Sequence, residues 1–154
     1  MKKTVAIICA LLQLSCWYSF REATTERRKS LYIKPFDNQT AEPELPEKLL
    51  SGLSDELSKI ALLVPKESAD YYIEGSITEV KEIAYTYTPE ETPKEFKITL
   101  KGKFRILRRD GTVIEETELE GWGTYPASTG NRDEAISSGI KMLVGKISDL
   151  VRSL

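Results

Sequence analysis

The chain has 154 residues with 22 basic and 24 acidic side chains, a formal net charge of −2, two cysteines and no histidine. That length suits one domain with a real core, and the near-balanced, slightly acidic charge argues against general nucleic-acid binding. Without histidine, imidazole metal sites, Ser-His-Asp and Cys-His nucleophiles and histidine acid–base chemistry are excluded, and no carboxylate pair stands out as a hydrolytic substitute, so no enzyme activity and no cofactor are expected.

The first element is a targeting segment. Lys2 and Lys3 precede an apolar run over residues 5–12, and Gln13-Leu14-Ser15 leads to Cys16. A basic start, a short apolar stretch and a small residue before the cut describe a signal peptide, and the run is too short to span a bilayer. The cysteine after Ser15 sharpens this to a bacterial lipoprotein signal over residues 1–15, with Cys16 acylated as the first mature residue. Cys9 lies inside the apolar run. Several acyl chains, at about 0.8 kcal/mol per buried methylene, would anchor the protein where one is marginal. Removing residues 1–15 leaves 139 residues and about 20 basic against 24 acidic side chains. With Cys16 acylated, no thiol remains for a disulfide. Residues 16–30 then read as a lipidated start and a charged tether, and residues 31–154 as the domain.

Leu31-Tyr32-Ile33-Lys34-Pro35-Phe36 has the composition of a short strand ended by Asp37-Asn38-Gln39-Thr40, with Pro35 suited to a terminus or an edge. Residues 43–64 predict a helix starting near Pro46, because Leu49, Leu50, Leu53, Leu57, Ile60, Ala61 and Val64 recur at three and four. Residues 70–88 predict a long strand. Its alternation slips at Val80, which implies an irregularity near residues 78–81.

The next strand is the clearest. Phe96, Ile98, Leu100, Phe104 and Ile106 alternate with Lys97, Thr99, Lys101, Lys103 and Arg105, giving one apolar and one cationic face. Asp110-Gly111 reads as a two-residue hairpin loop, so cross-strand partners should have numbers summing to 221. Lys101, Lys103 and Arg105 would then face Glu120, Glu118 and Glu116 as a salt ladder on the face away from the helices. Lys94 and Lys97 lie beyond its well-matched part. The fourth strand passes Trp122 and ends at Pro126, and Asn131 with Glu134 looks like a capping box. A final helix carries the stripe Ile136, Ile140, Leu143, Ile147, Leu150 and Leu154. The expected fold is α+β: a two-layer sandwich with two amphipathic helices on one face of a four-stranded, mainly antiparallel sheet, in the order β-α-β-β-β-α.

Several motifs, in order along the chain, carry a resemblance. They are Cys16-Trp17-Tyr18-Ser19-Phe20, Phe36-Asp37-Asn38-Gln39-Thr40, Ala69-Asp70-Tyr71-Tyr72-Ile73-Glu74-Gly75-Ser76-Ile77, Gly121-Trp122-Gly123-Thr124-Tyr125 and Asn131-Arg132-Asp133-Glu134-Ala135-Ile136. Together they resemble the LptE family of lipopolysaccharide-assembly lipoproteins over essentially the whole chain. Trp17 stands where the family usually has glycine. The resemblance implies a non-enzymatic role at the periplasmic side of the outer membrane: anchoring through the N-terminal lipid, assisting and plugging the β-barrel LptD, and binding lipopolysaccharide. If the domain binds that ligand itself, Lys94, Lys97, Lys101, Lys103 and Arg105 are the candidate contacts. The alternative role is an envelope lipoprotein of similar fold serving a secretion or cell-wall-synthase complex.

Overall fold

The computed structural model describes residues 28–128 and 130–154. The expected signal peptide, Cys16 and all but the last residues of the tether lie outside them. The described chain runs through β1 (Ser30–Ile33), β2 (Asp37–Asn38), α1 (Leu45–Leu57), β3 (Leu62–Leu63), β4 (Tyr71–Tyr87), β5 (Pro93–Arg108), β6 (Val113–Pro126) and α2 (Arg132–Arg152). The sheet order is β3-β1-β4-β5-β6, with β2 also pairing β4. β4, β5 and β6 form an antiparallel meander, whereas β1 and β2 run parallel to β4 and β3 parallel to β1. Both helices lie on one face, as their apolar stripes require.

The four expected strands become six for local reasons. Pro35 has no N–H to give, so the first strand divides: Lys34 N donates to Ile73 O at 2.9 Å, and pairing resumes at Asp37 opposite Ser76. The first helix stops at Leu57, short of the expected Val64. Ala61 N closes on Leu57 O, and Leu62 N and Val64 N then donate to Lys29 O and Leu31 O. The free edge of β1 thus satisfies groups that further helix would have satisfied internally.

The core lies between sheet and helices. Leu45, Leu49, Leu53 and Leu57 are the buried stripe of α1, and Ile136, Ile140, Leu143, Ile147 and Val151 that of α2. They meet Ile73, Ile77, Ile98, Leu100, Phe104 and Ile106 from the sheet. Phe104 also meets the Phe36 ring edge-on at 5.8 Å. At the start of α2 the expected capping box is absent. Asn131 is the N-cap but makes no side-chain bond to the backbone; its Nδ2 donates to Glu134 Oε2 at 2.7 Å, which takes up the carboxylate the box would have used.

The β5–β6 register holds, with Lys101 opposite Glu120, Lys103 opposite Glu118 and Arg105 opposite Glu116. The turn differs from expectation. Gly111 N donates to Arg108 O at 2.9 Å, Arg108 N to Thr112 O at 2.8 Å, and Gly111 has φ 87°. This is a three-residue loop with Gly111 left-handed, and a register shift between Ile106 and Leu107 restores the sum of 221. The irregularity expected near residues 78–81 is a shift between Ile77 and Glu79, with Thr78 as the extra residue.

Candidate functional site

The sheet face opposite the helices carries the cationic residues. Strand alternation turns Lys97, Lys101, Lys103 and Arg105 outward because Ile98, Leu100, Phe104 and Ile106 turn in. β4 contributes Glu74 and Glu79 to this face, opposite Arg105 and Lys101, and β6 contributes Glu116, Glu118 and Glu120. Each of these two cations therefore has a carboxylate on both sides.

Both close on β4, not on β6 as the expected ladder requires. Lys101 Nζ lies 3.1 Å from Glu79 Oε2, and Arg105 Nη2 lies 2.5 Å from Glu74 Oε1. Glu74 is also bound by Lys34, and the Lys34 hydrogen bond is the main reason its carboxyl titrates below the usual range, with Arg105 adding to it. Lys101 is held charged above its ordinary range, chiefly by the hydrogen bond to Glu79, with Glu118 and Glu120 adding little. Among the described residues, Glu116, Glu118 and Glu120 make no ion pair.

The remaining cations differ. Lys103 faces neutral Ser76 on β4, so it has no carboxylate on the side where its neighbours close. It lines a shallow cleft of about 540 Å³ with Lys34, Asp37, Glu74, Arg105 and Glu116. Lys97 Nζ sits 4.6 Å from the Trp122 ring centroid and 5.7 Å from that of Tyr85, a cation held between two π faces. Lys94 makes no ion pair among the described residues, and its backbone carbonyl accepts from Ala127 N at 3.0 Å. The structure thus brings Lys97, Lys101, Lys103 and Arg105 onto one face, with two of them internally neutralised.

The aromatic part of this face lies outside the contacts expected from the sequence. Trp122, Tyr85, Tyr87 and Ile83 are 38%, 52%, 58% and 45% exposed and gather at the end of the sheet where Lys97 lies. The hairpin register already placed Trp122 opposite Thr99, on the cationic face, and that was the available signal. The carboxylates of β4 carried no such signal, because the short loop at residues 89–91 has no glycine to mark it and register shifts between Ala84 and Tyr87 separate it from those carboxylates.

A second polar cluster ties the layers together. Arg132, at the start of α2, donates through Nη2 to Glu42 at 2.6 Å and through Nε to Glu82 at 3.0 Å. Tyr125 Oη also donates to Glu82. That bond first, and Arg132 second, lowers the titration of Glu82, and the same bond pushes the Tyr125 phenol up. The cluster joins the loop before α1, the sheet and α2, and its chemistry is structural. No helix among the described residues is long and apolar enough to cross a membrane.

A family model described as LptE, lipopolysaccharide-assembly, matches residues 28–149. No curated protein matches the sequence. Among solved structures, the chain is similar to a minor lipoprotein from Acinetobacter baumannii at 19% identity and TM-score 0.56, covering 82% of this chain and 92% of that one. It is also similar to the uncharacterized lipoprotein B from Nitrosomonas europaea, at 16% identity and TM-score 0.55 over 80% and 82% of the two chains. The rare lipoprotein B from Shewanella oneidensis shares 10% identity at TM-score 0.51, over 81% of this chain and 95% of that one. At these identities the structural likeness speaks for the fold.

Proposed function

The chain belongs to the LptE family of lipopolysaccharide assembly, and from that premise we propose that it acts as an outer-membrane lipoprotein that helps assemble and plugs the LptD β-barrel. The observation that carries the reading is the family match across residues 28–149, which covers both helices almost entirely and every strand. The role has no chemical step. It requires a rigid domain with an exposed surface, and the helix-free sheet face supplies one.

Lipopolysaccharide binding belongs to the same proposal. Its phosphates would meet the cations not already spent on β4 carboxylates, namely Lys94, Lys97 and Lys103, with Lys101 and Arg105 available only by exchange of their present partners. Lysine suits this as a flexible point charge. Acylation of Cys16 would hold the domain at the periplasmic side of the outer membrane. Mass spectrometry of the mature N-terminus should find an acylated cysteine, and an unmodified start elsewhere would remove the anchor from the account.

The test of the whole reading is depletion. Lowering this protein in its own cells should lower the folded level of the barrel and the surface content of lipopolysaccharide together. A barrel level that stays constant while secretion or cell-wall synthesis fails would move the protein to the other envelope role.

A further inference from the structure

Among the described residues two of the three long strands present an open edge, and the two edges are defended differently. β6 carries Glu115, Glu116, Glu118 and Glu120, and Lys146 Nζ donates to Glu120 O at 2.9 Å across its edge. Charge of this kind keeps an edge strand from recruiting another. On the opposite side, β1 and β2 follow β4 only to Ile77, whose carbonyl accepts from Gln39 N at 2.9 Å. Beyond Glu79, β4 is held by β5 alone.

The backbone of that stretch has a defined direction. Lys101 O accepts from Thr78 Oγ1, so it faces β4, whereas Lys94 O accepts from Ala127 N and faces β6. Pairing along β5 is unbroken from Lys101 to Phe96, so the even-numbered residues of β5 bond to β6. Their β4 partners, Val80, Glu82 and Ala84, therefore belong to the non-hydrogen-bonded pairs and turn N–H and C=O to the open side.

The side chains add a second observation. Ile83, Tyr85 and Tyr87 are exposed beside this edge, and Trp122 lies two strands away on the same face. Glu79 is taken by Lys101, and Glu82 by Arg132 and Tyr125, leaving Lys81 as the one charge of the stretch with no ion pair among the described residues.

We propose that residues 80–84 of β4 take an extended segment of the barrel partner as an added strand. Backbone bonds to Val80, Glu82 and Ala84 supply the affinity; an apolar side chain beside Ile83 and an acidic one two residues away, beside Lys81, supply the selectivity. The identity of the partner rests on the function proposed above, while the edge and its chemistry stand on the geometry alone.

The test uses the full-length protein in its own cells, with a photo-reactive amino acid at position 83 and, separately, the substitution Ala84→Pro. Proline at 84 removes an N–H that faces the open side and no bond to β5. Irradiation should give an adduct between position 83 and one segment of the barrel, and Ala84→Pro should lower barrel recovery about tenfold, the worth of roughly one backbone bond. An adduct with a second copy of this chain overturns the proposal, as does no adduct while the unmodified chain still recovers the barrel. If the unmodified chain recovers no barrel, the proposed function fails and takes this proposal with it. The cross-link decides the matter even if Ala84→Pro fails to fold.

Discussion

Glu91 and Gly111 occupy the same position in two successive hairpins. In the first, Glu91 N donates to Thr88 O at 3.0 Å and Thr88 N to Thr92 O at 2.8 Å; in the second, Gly111 N donates to Arg108 O and Arg108 N to Thr112 O at 2.9 and 2.8 Å. Both residues have positive φ, 60° and 87°. Glycine adopts that conformation freely, whereas a side chain costs about 1 kcal/mol or more. Glu91→Gly should raise stability by about 0.5–1 kcal/mol, and Gly111→Ala should lower it by about 1 kcal/mol. Urea unfolding followed by circular dichroism reads both. Shifts of the same sign would mean that the turns are not equivalent.

Helix α2 touches β6 through backbone. A Cβ on Gly121 would lie 2.0 Å from Gly139 O, and one on Gly123 would lie 2.2 Å from Ala135 O. Neither carbonyl can swing aside as a flexible side chain would. Gly121→Ala should therefore cost about 2–3 kcal/mol, at the upper end for overpacking. A lowered urea midpoint with an unchanged slope is the expected result.

Glu74, bound by both Lys34 and Arg105, makes stability depend on acid. Its carboxyl titrates lower in the folded chain than in the unfolded one. The contribution is therefore complete above the ordinary carboxylate range and is lost as pH falls through the lowered value. Glu74→Gln should cost about 1 kcal/mol at neutral pH, discounted for the partly exposed cations. The difference from the parent chain should shrink to nothing in acid. A gap that persists unchanged at low pH would assign the loss to packing.

Much of this architecture was legible because single residues fix it. Asp110-Gly111 set the β5–β6 register, even though the turn proved to be of another type, and the leucine spacing set α1. What stayed hidden depended on partners far away in sequence. Leu62 and Leu63 read as helix because nothing local says that β1 offers them an edge. The carboxylates that neutralise Lys101 and Arg105 were missed because the loop at residues 89–91 carries no glycine signal and register shifts between Ala84 and Tyr87 separate it from both pairs, with the shift at Thr78 added for Glu74. Of the candidate contacts, the less neutralised standing of Lys94 and Lys97 was readable from where the β6 glutamates end. The freedom of Lys103 was not, since it follows from Ser76 standing opposite.

If lipopolysaccharide binds this domain, Lys94 and Lys97 can be changed without breaking an ion pair. The double substitution Lys94→Glu, Lys97→Glu should weaken binding of purified lipopolysaccharide while the thermal unfolding curve stays near that of the parent. Contacts between exposed charges are screened over about 8 Å at physiological ionic strength, so added salt should reduce the parent's binding more than the variant's. Unchanged binding by the folded variant would remove Lys94 and Lys97 from the ligand contacts and leave Lys103 as the remaining free cation of the candidate set.

The most direct measurement is recovery of the full-length, tagged protein from detergent-solubilised envelopes, with its bound proteins identified by mass spectrometry. A large outer-membrane β-barrel in near-equal amount is the predicted result. Recovery of cell-wall enzymes or secretion components with no barrel would contradict the account.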